Sequence, residues 1–192
     1  MVFVFKVRKY SYFNSFYRKK SAFAMSLLPE KGKIPKPSLD EIDRKILAAL
    51  QRDAKLNVKH LADELNLSKT PVYERIRRLE QEGVIKKYVA VLDRNKLPSS
   101  MVVFCSVSLE VQKIEKIEQF SRQVAEIPEV LECYLMGGTS DFMLKVIVQD
   151  LAAYHHFSSG KLAALPNVSQ IKSAFVLHEV KQGTVVPLFQ ET

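Results

Sequence analysis

Basic and hydroxyl side chains recur at helical spacing in the segment that begins at Ser68. Val72, Ile76 and Leu79 would form one face of a helix, so the polar residues between them must lie on the opposite face. Arginine can donate two hydrogen bonds to a guanine edge, lysine and hydroxyl groups bind phosphates, and a helix N terminus accepts an anion. The candidate DNA-binding residues are therefore Ser68, Lys69, Thr70, Tyr73, Glu74, Arg77 and Arg78.

The same residues are also compatible with an ordinary solvated helix. Arginines on such a helix commonly pair with neighbouring acids, and Glu74 and Glu80 could serve as those acids here. A basic helix face alone does not establish DNA binding, so the interpretation depends on the elements around the helix.

Two helices are predicted ahead of this segment. Ser38 and Glu41 match the S-x-x-E capping box of a first helix, which ends near Arg52. Asn57 is the candidate N-cap of a second, short helix. Both helices have apolar residues at the spacing of one buried face.

The third helix is bounded by a tight turn and a glycine. Ser68 is its predicted N-cap, Gly83 its predicted end, and Val84–Leu92 is predicted to be a strand. Three short helices with a tight turn before the third and a strand after it are typical of a winged helix-turn-helix. In that unit the third helix enters the major groove of DNA.

The second half of the chain alternates strand and helix in the order βαββαβ. This order predicts a ferredoxin-like domain, in which helices cover one face of an antiparallel sheet. The other sheet face needs a cover, and a second subunit is the simplest one. The predicted strands are 101–109, 130–136, 142–148 and 168–180, and the predicted helices are 114–127 and 151–165.

These patterns predict an α+β protein with three segments. Residues 1–37 are a basic extension and linker, residues 38–97 the winged helix-turn-helix domain, and residues 98–192 the ferredoxin-like domain for ligand sensing and oligomerisation. The acid-free stretch 1–24 fits a disordered arm, a presequence-like segment, or sequence upstream of a start at Met25.

Charge and composition favour a nucleic-acid partner for the front of the chain. The net charge is +8, and residues 1–36 contain nine Lys or Arg against one acid, whereas residues 98–192 carry net charge −3. No apolar run is long enough to span a bilayer. The two cysteines are too few for a disulfide framework, so we expect a cytoplasmic protein without a membrane partner.

Several of these segments together resemble the Lrp/AsnC family, the feast/famine regulators of bacteria and archaea. The resemblance covers residues 38–188 and implies a DNA-binding head and an amino-acid-sensing domain. It also implies homodimers that assemble to octamers, with effectors bound between dimers. The matching segments are Leu39–Leu47, Leu61-Ala62, Leu67-Ser68, Val72–Glu80, Gly83–Ile85 and Glu179–Lys181.

The resemblance also implies an effector site at the turn between the second and third strands of the sensing domain. The family has a G-D-aromatic-D pattern there, and this chain keeps Gly138 and Asp141 but has Thr139 and Ser140 in the middle. A glycine allows close approach of backbone amides to a carboxylate, and Asp141 is suited to an α-ammonium. Ser173 matches a hydroxyl position of the same pocket. An ordinary hairpin turn, a lost effector response and a different ligand are the alternatives.

No catalytic constellation is present in the sequence. It has no P-loop, no dinucleotide fingerprint, and four scattered histidines without metal-ligand spacing, so we expect no enzyme, no cofactor and no metal site. Two alternatives share the architecture. One is a decarboxylase of the sirohaem type, against which the basic third helix argues, and the other is a nucleoid-organising protein that wraps DNA.

Overall fold

The computed structural model describes residues 38–97 and 100–188, in two compact units. The described residues up to Leu92 and those from Glu179 onward form a helical unit, and Asp93–His178 form a sheet unit. The predictions for residues 1–37, including the start at Met25, lie outside the described residues. No helix in the described ranges is long and apolar enough to cross a membrane.

The helical unit contains the three predicted helices, which are α1 (Glu41–Arg52), α2 (Val58–Glu64) and α3 (Lys69–Gln81). Each contributes its apolar face to one core, as the periodicity predicts. The buried side chains of that core are Ile46, Leu47, Ala49, Leu61, Ala62, Val72, Ile76 and Leu79.

The helix caps differ in part from the prediction. Asp40, and not Ser38, is the N-cap of α1: its carboxylate accepts from the Asp43 backbone N–H at 2.7 Å, and Asp43 accepts from the Asp40 N–H in return. The N-cap of α1 therefore lies two residues later in the chain than predicted. Asn57 caps α2 as predicted. Ser68 occupies the N-cap position of α3, but its side chain makes no capping hydrogen bond.

The turns on either side of α3 use residues that tolerate left-handed backbone. Asn66, between α2 and α3, has φ of 54°, and Gly83, just after α3, has φ of 71°. Gly83 therefore ends the helix as predicted. The tight turn before α3 directs the start of that helix away from α2.

The strand predicted over Val84–Leu92 is absent. Val84 and Ile85 are half-buried against the helical core, and residues 86–92 are exposed and lack regular secondary structure. The Ile85 N–H donates to the Leu79 carbonyl, and the Tyr88 hydroxyl donates to Glu80. Burial and the Glu80 carboxylate raise the pKa of Tyr88 to about 12. No second segment pairs with residues 84–92 in the described part of the chain.

The sheet unit begins with a short 3₁₀ turn at Arg94–Lys96 and has the predicted βαββαβ order. Its elements are β1 (Met101–Leu109), α4 (Ile114–Ala125), β2 (Val130–Leu135), β3 (Phe142–Val148), α5 (Leu151–His156) with a π-helical continuation Phe157–Leu162, and β4 (Val168–Phe175). The strands lie in the order β2-β3-β1-β4, and all three neighbouring pairs are antiparallel. The last helix ends at Leu162 rather than at residue 165, and the last strand ends at Phe175 rather than at residue 180.

Only one face of this sheet is covered within the unit. Alternate residues of β1 and β3, such as Cys105 and Leu144, are buried under α4 and α5. The opposite face includes Phe104, which is 37% exposed, and its cross-strand partner Lys145. The sequence predicted such an open face.

Candidate functional site

The exposed face of α3 contains every residue that the sequence analysis selected on that helix. Tyr73 is 58% exposed, and the side of α3 opposite Val72, Ile76 and Leu79 faces solvent. The exposed candidates are Ser68, Lys69, Thr70, Tyr73, Glu74, Arg77 and Arg78. A single helix face therefore presents hydroxyl, basic and aromatic groups together.

A buried carboxylate lies beneath that face. Asp43 of α1 is fully buried, and its two oxygens accept from Arg75 Nη1 at 2.8 Å and from Arg78 Nη2 at 2.5 Å. Arg75 Nη1 also lies 2.5 Å from Asp40 Oδ2. One acid of α1 thus holds two arginines of α3, which fixes α3 against α1 with charge-assisted bonds.

Asp40 and Arg75, which lie together at the N-cap of α1, have shifted pKa values. The Asp43 backbone N–H and then Arg75 lower the pKa of Asp40, and the two acids raise the pKa of Arg75. Since Asp40 stays ionised in the folded state, its contribution to stability is present above its ordinary pKa and is lost as the pH falls.

The arginines of α3 therefore differ in their surroundings. Arg78 is tied to Asp43 and lies 4.0 Å from Glu82, although its side chain is still 44% exposed. The Arg77 guanidinium makes no ion pair or hydrogen bond with any residue of the described ranges, and the residue is exposed. Arg77 is thus the arginine of α3 whose donors all remain for an external partner.

The sequence analysis missed Asp43 and Arg75 as a site. Neither residue is among the candidate DNA-binding residues named from the sequence. A signal existed, because Asp43 occupies a position on the apolar side of α1, three residues before Ile46. An acid on a buried helix face needs a cationic partner.

The second candidate region is the turn between β2 and β3. Met136 N–H donates to the Asp141 carbonyl at 2.8 Å, which closes the turn around Gly138, Thr139 and Ser140. Thr139 is exposed, and Gly138 and Ser140 are half-buried. Their hydroxyls and backbone amides lie at one end of the sheet.

Asp141 is buried rather than a solvated turn residue. It is 4% exposed, and its Oδ2 accepts from the Leu109 N–H at 2.8 Å and from Gln112 Nε2 at 3.3 Å. Its own N–H donates to the Val107 carbonyl at 2.9 Å. Asp141 therefore fixes the turn to the end of β1.

Ser173 lies elsewhere on the sheet. It pairs with Cys105 across β1 and β4, and its hydroxyl is hydrogen-bonded to the Tyr154 hydroxyl, which is 3.5 Å from Cys105 Sγ. Burial, together with Cys105, raises the pKa of Tyr154 to about 12. Ser173 lies opposite Cys105 of β1, whereas Asp141 contacts Val107 and Leu109 of the same strand. These positions are two to four residues apart along β1, which is about 7 to 13 Å. Within one chain the turn and Ser173 are therefore set apart along β1.

Among the described residues, no group of three or more His, Cys, Asp or Glu side chains could hold a metal ion. Cys105 is buried, which raises the pKa of its thiol, and Cys133 has a pKa raised to about 11 by desolvation. Both thiols are therefore protonated at neutral pH.

Two family models match the chain, one for each unit. A model described as winged helix-turn-helix DNA-binding matches residues 39–86, and one described as Lrp/AsnC ligand binding domain matches residues 102–186. The first covers the three helices, and the second covers the sheet unit and the segment that follows it.

Curated relatives match over almost their whole length. The Bkd operon transcriptional regulator of Pseudomonas aeruginosa is 45% identical over 150 residues, which are 78% of this chain and 98% of the relative. The leucine-responsive regulatory protein of Escherichia coli is 39% identical over 151 residues, which are 79% of this chain and 92% of the relative.

Solved structures of transcriptional regulators also superpose on most of the chain. An AsnC family transcriptional regulator from Agrobacterium tumefaciens superposes with a TM-score of 0.72 at 40% identity, covering 77% of this chain and 96% of the other. A transcriptional regulator from Neisseria meningitidis, solved in complex with L-Met, superposes with a TM-score of 0.73 at 33% identity, covering 78% and 97%.

The buried acid leads to a stability prediction. Asp43→Asn removes the charge between Arg75 and Arg78, and we expect the free energy of unfolding of the helical unit to fall by about 3 kcal/mol. Urea denaturation followed by circular dichroism measures this. Asp40→Asn is the matched control, because asparagine also caps helices and the Asp40 pair is exposed, so a loss below about 1 kcal/mol is expected. Equal losses for the two variants would contradict the central role of Asp43.

Proposed function

The chain belongs to the Lrp/AsnC family of transcriptional regulators, and on that premise we propose that it binds operator DNA through α3 and responds to an amino-acid effector. The observation that carries the proposal is the exposed polar face of α3, held against α1 by the buried Asp43 carboxylate. A helix with one fixed orientation and one solvent-facing polar surface suits the major groove.

We assign different tasks to the residues of that face. Arg77, whose guanidinium faces solvent, is the base-reading residue, and Ser68, Lys69 and Thr70 at the helix N terminus bind phosphate. Arg78 stays close to Asp43 and contributes a phosphate contact from the flank. Tyr73 and Glu74 complete the contact surface.

The effector of the proposal is a free amino acid bound at the turn Gly138–Asp141. Two observations support this: the matching family model is a ligand-binding domain, and the similar Neisseria protein was solved with L-Met. The turn supplies backbone amides and the hydroxyls of Thr139 and Ser140, which suit an effector carboxylate. Asp141, buried beneath them, positions the turn.

A homodimer, and from it an octamer, is the assembly that we propose. The open sheet face around Phe104 and Lys145 is partly apolar, and a second copy covers it most simply. Ser173 lies apart from the turn within one chain, so the effector pocket is completed between copies. Two α3 helices in a dimer then engage half-sites about one helical turn of DNA apart, roughly 34 Å.

Effector binding at such a junction changes assembly and with it DNA affinity. By linkage, operator DNA must change effector affinity by the same factor. We place this regulator in the cytoplasm, and we assign no enzymatic activity to it. Footprinting separates a local regulator, which protects a discrete site, from a DNA-wrapping protein, which gives long phased protection.

The first prediction concerns base reading. Arg77→Ala should weaken binding to the chain's own upstream region by about 5- to 150-fold, or about 1 to 3 kcal/mol, and leave binding to scrambled DNA nearly unchanged. Gel shifts at fixed salt measure both affinities. Arg122→Ala removes the same charge from exposed α4 and should change neither. If Arg77→Ala binds both DNAs like the parent, Arg77 does not read a base.

The second prediction concerns the effector turn. A pool of the twenty amino acids should alter the gel shift of the parent protein, and Asp141→Asn should lose this response while keeping basal DNA binding. The reason is that the Leu109 N–H and Gln112 no longer hold the turn with a charged acceptor. Asp150→Asn, at the N-cap of α5, is the matched control and should respond normally. A normal response from Asp141→Asn would place the effector elsewhere, and a parent with no response would contradict effector control.

The third prediction concerns the open sheet face. Phe104→Glu puts a charge on the surface that we propose to be buried between subunits, so the monomer–dimer Kd should rise by more than about tenfold, or about 1.4 kcal/mol. Sedimentation equilibrium measures this. Leu151→Glu, on an exposed side of α5, is the control and should leave the Kd unchanged. Equal association of the two variants would show that another surface joins the subunits.

A further inference from the structure

The segment that follows the sheet unit does not remain with it. After His178 the chain joins the helical unit again, and Glu179–Leu188 group with the helices rather than with the strands. The first part of this segment is open to solvent, since Val180 is 90% exposed. The sequence analysis assigned these residues to the second domain, because nothing in their pattern marks a partner.

The contact that brings the segment back is made by the Gln51 side chain of α1. Gln51 Nε2 donates to the Val186 carbonyl at 3.1 Å, and the Val186 N–H donates to Gln51 Oε1 at 2.6 Å. One primary amide therefore satisfies both backbone groups of a residue 135 positions away in the sequence. This is the pairing that a neighbouring strand would give to an extended peptide.

An apolar contact accompanies the amide pair. Leu188, two residues beyond Val186, is half-buried and packs against the core of the helical unit, as does Leu50 next to Gln51. The amide fixes the register of the peptide and the leucine adds burial. The two contacts are independent, since one is polar and the other hydrophobic.

We propose that α1 has a docking surface for an extended peptide, formed by Gln51 and the adjoining core, and that its occupant is the chain's own segment Thr184–Leu188. The DNA-binding unit then contains a fourth element that comes from the far end of the chain. Because α1 holds α3 through Asp43, releasing the segment loosens the helix on which α3 depends.

The proposal is tested by hydrogen exchange on the full-length protein. Gln51→Ala removes the amide pair, and Leu188→Ala removes the apolar contact. Each should make the amides in the last turn of α1 and the Val186 amide exchange about 5- to 30-fold faster. Alanine is a better helix former than glutamine, so faster exchange in Gln51→Ala cannot come from a weaker helix propensity.

Gln81→Ala is the matched control, since it makes the same change at an exposed position of α3. It should leave exchange in α1 and at Val186 unchanged. If Gln51→Ala and Leu188→Ala also leave that exchange at the parental rate, the segment is not docked and the proposal is overturned.

The source of the segment is tested by crosslinking. A full-length chain with Ala48→Cys and Val186→Cys, in a Cys133→Ser background, is treated with a short bismaleimide. Ala48 lies one turn before Gln51 on the same side of α1, so the Gln51 amide pair is retained. The native Cys105 is buried and unreactive. We expect an internally crosslinked single chain. A covalent dimer as the main product would show that a second copy supplies the segment, and an absence of product would show that the two positions are not adjacent; either result overturns the assignment.

Discussion

The carboxylate of Asp43 is the point on which the DNA-binding unit depends. It is fully buried, it completes the N-cap of α1, and it binds two arginines of α3. A buried charge is costly unless it is paired, so the position of α3 relative to α1 cannot change without exposing or orphaning that charge. The apolar core brings the helices together, but this ion cluster selects one orientation of the exposed face of α3.

A second buried acid has a comparable task in the sheet unit. Asp141 ties the turn between β2 and β3 to the end of β1 by accepting from the Leu109 N–H and from Gln112. In both units, then, a buried acid is used for contacts within the unit. Other residues remain accessible to a ligand: Arg77 in the helical unit, and Thr139 with Ser140 in the sheet unit.

The sequence predicted the elements well where the apolar period was long. The three helices, the order of the four strands and the exposed face of α3 all follow from periodicity and from Asn57 and Gly83 as caps. The predictions were wrong where a distant contact decides the structure. Asp40 caps α1 in place of Ser38, and Arg75 of α3 supports it there. Val84–Leu92 is not a strand, because no described segment pairs with it. The docking of Val186 on Gln51 has no local signal at all.

The departures at Thr139 and Ser140 have a physical consequence for effector choice. In the family pattern an acid occupies the position of Thr139, in addition to the acid at Asp141. Here that charge is missing, and the charge that remains, on Asp141, is buried and already accepts from Leu109 and Gln112. The exposed part of the turn therefore offers neutral hydroxyls and backbone amides, which recognise a carboxylate better than a cation. On the proposed function, the acid that holds the effector's ammonium therefore lies outside this turn, whereas the turn itself holds the effector's carboxylate.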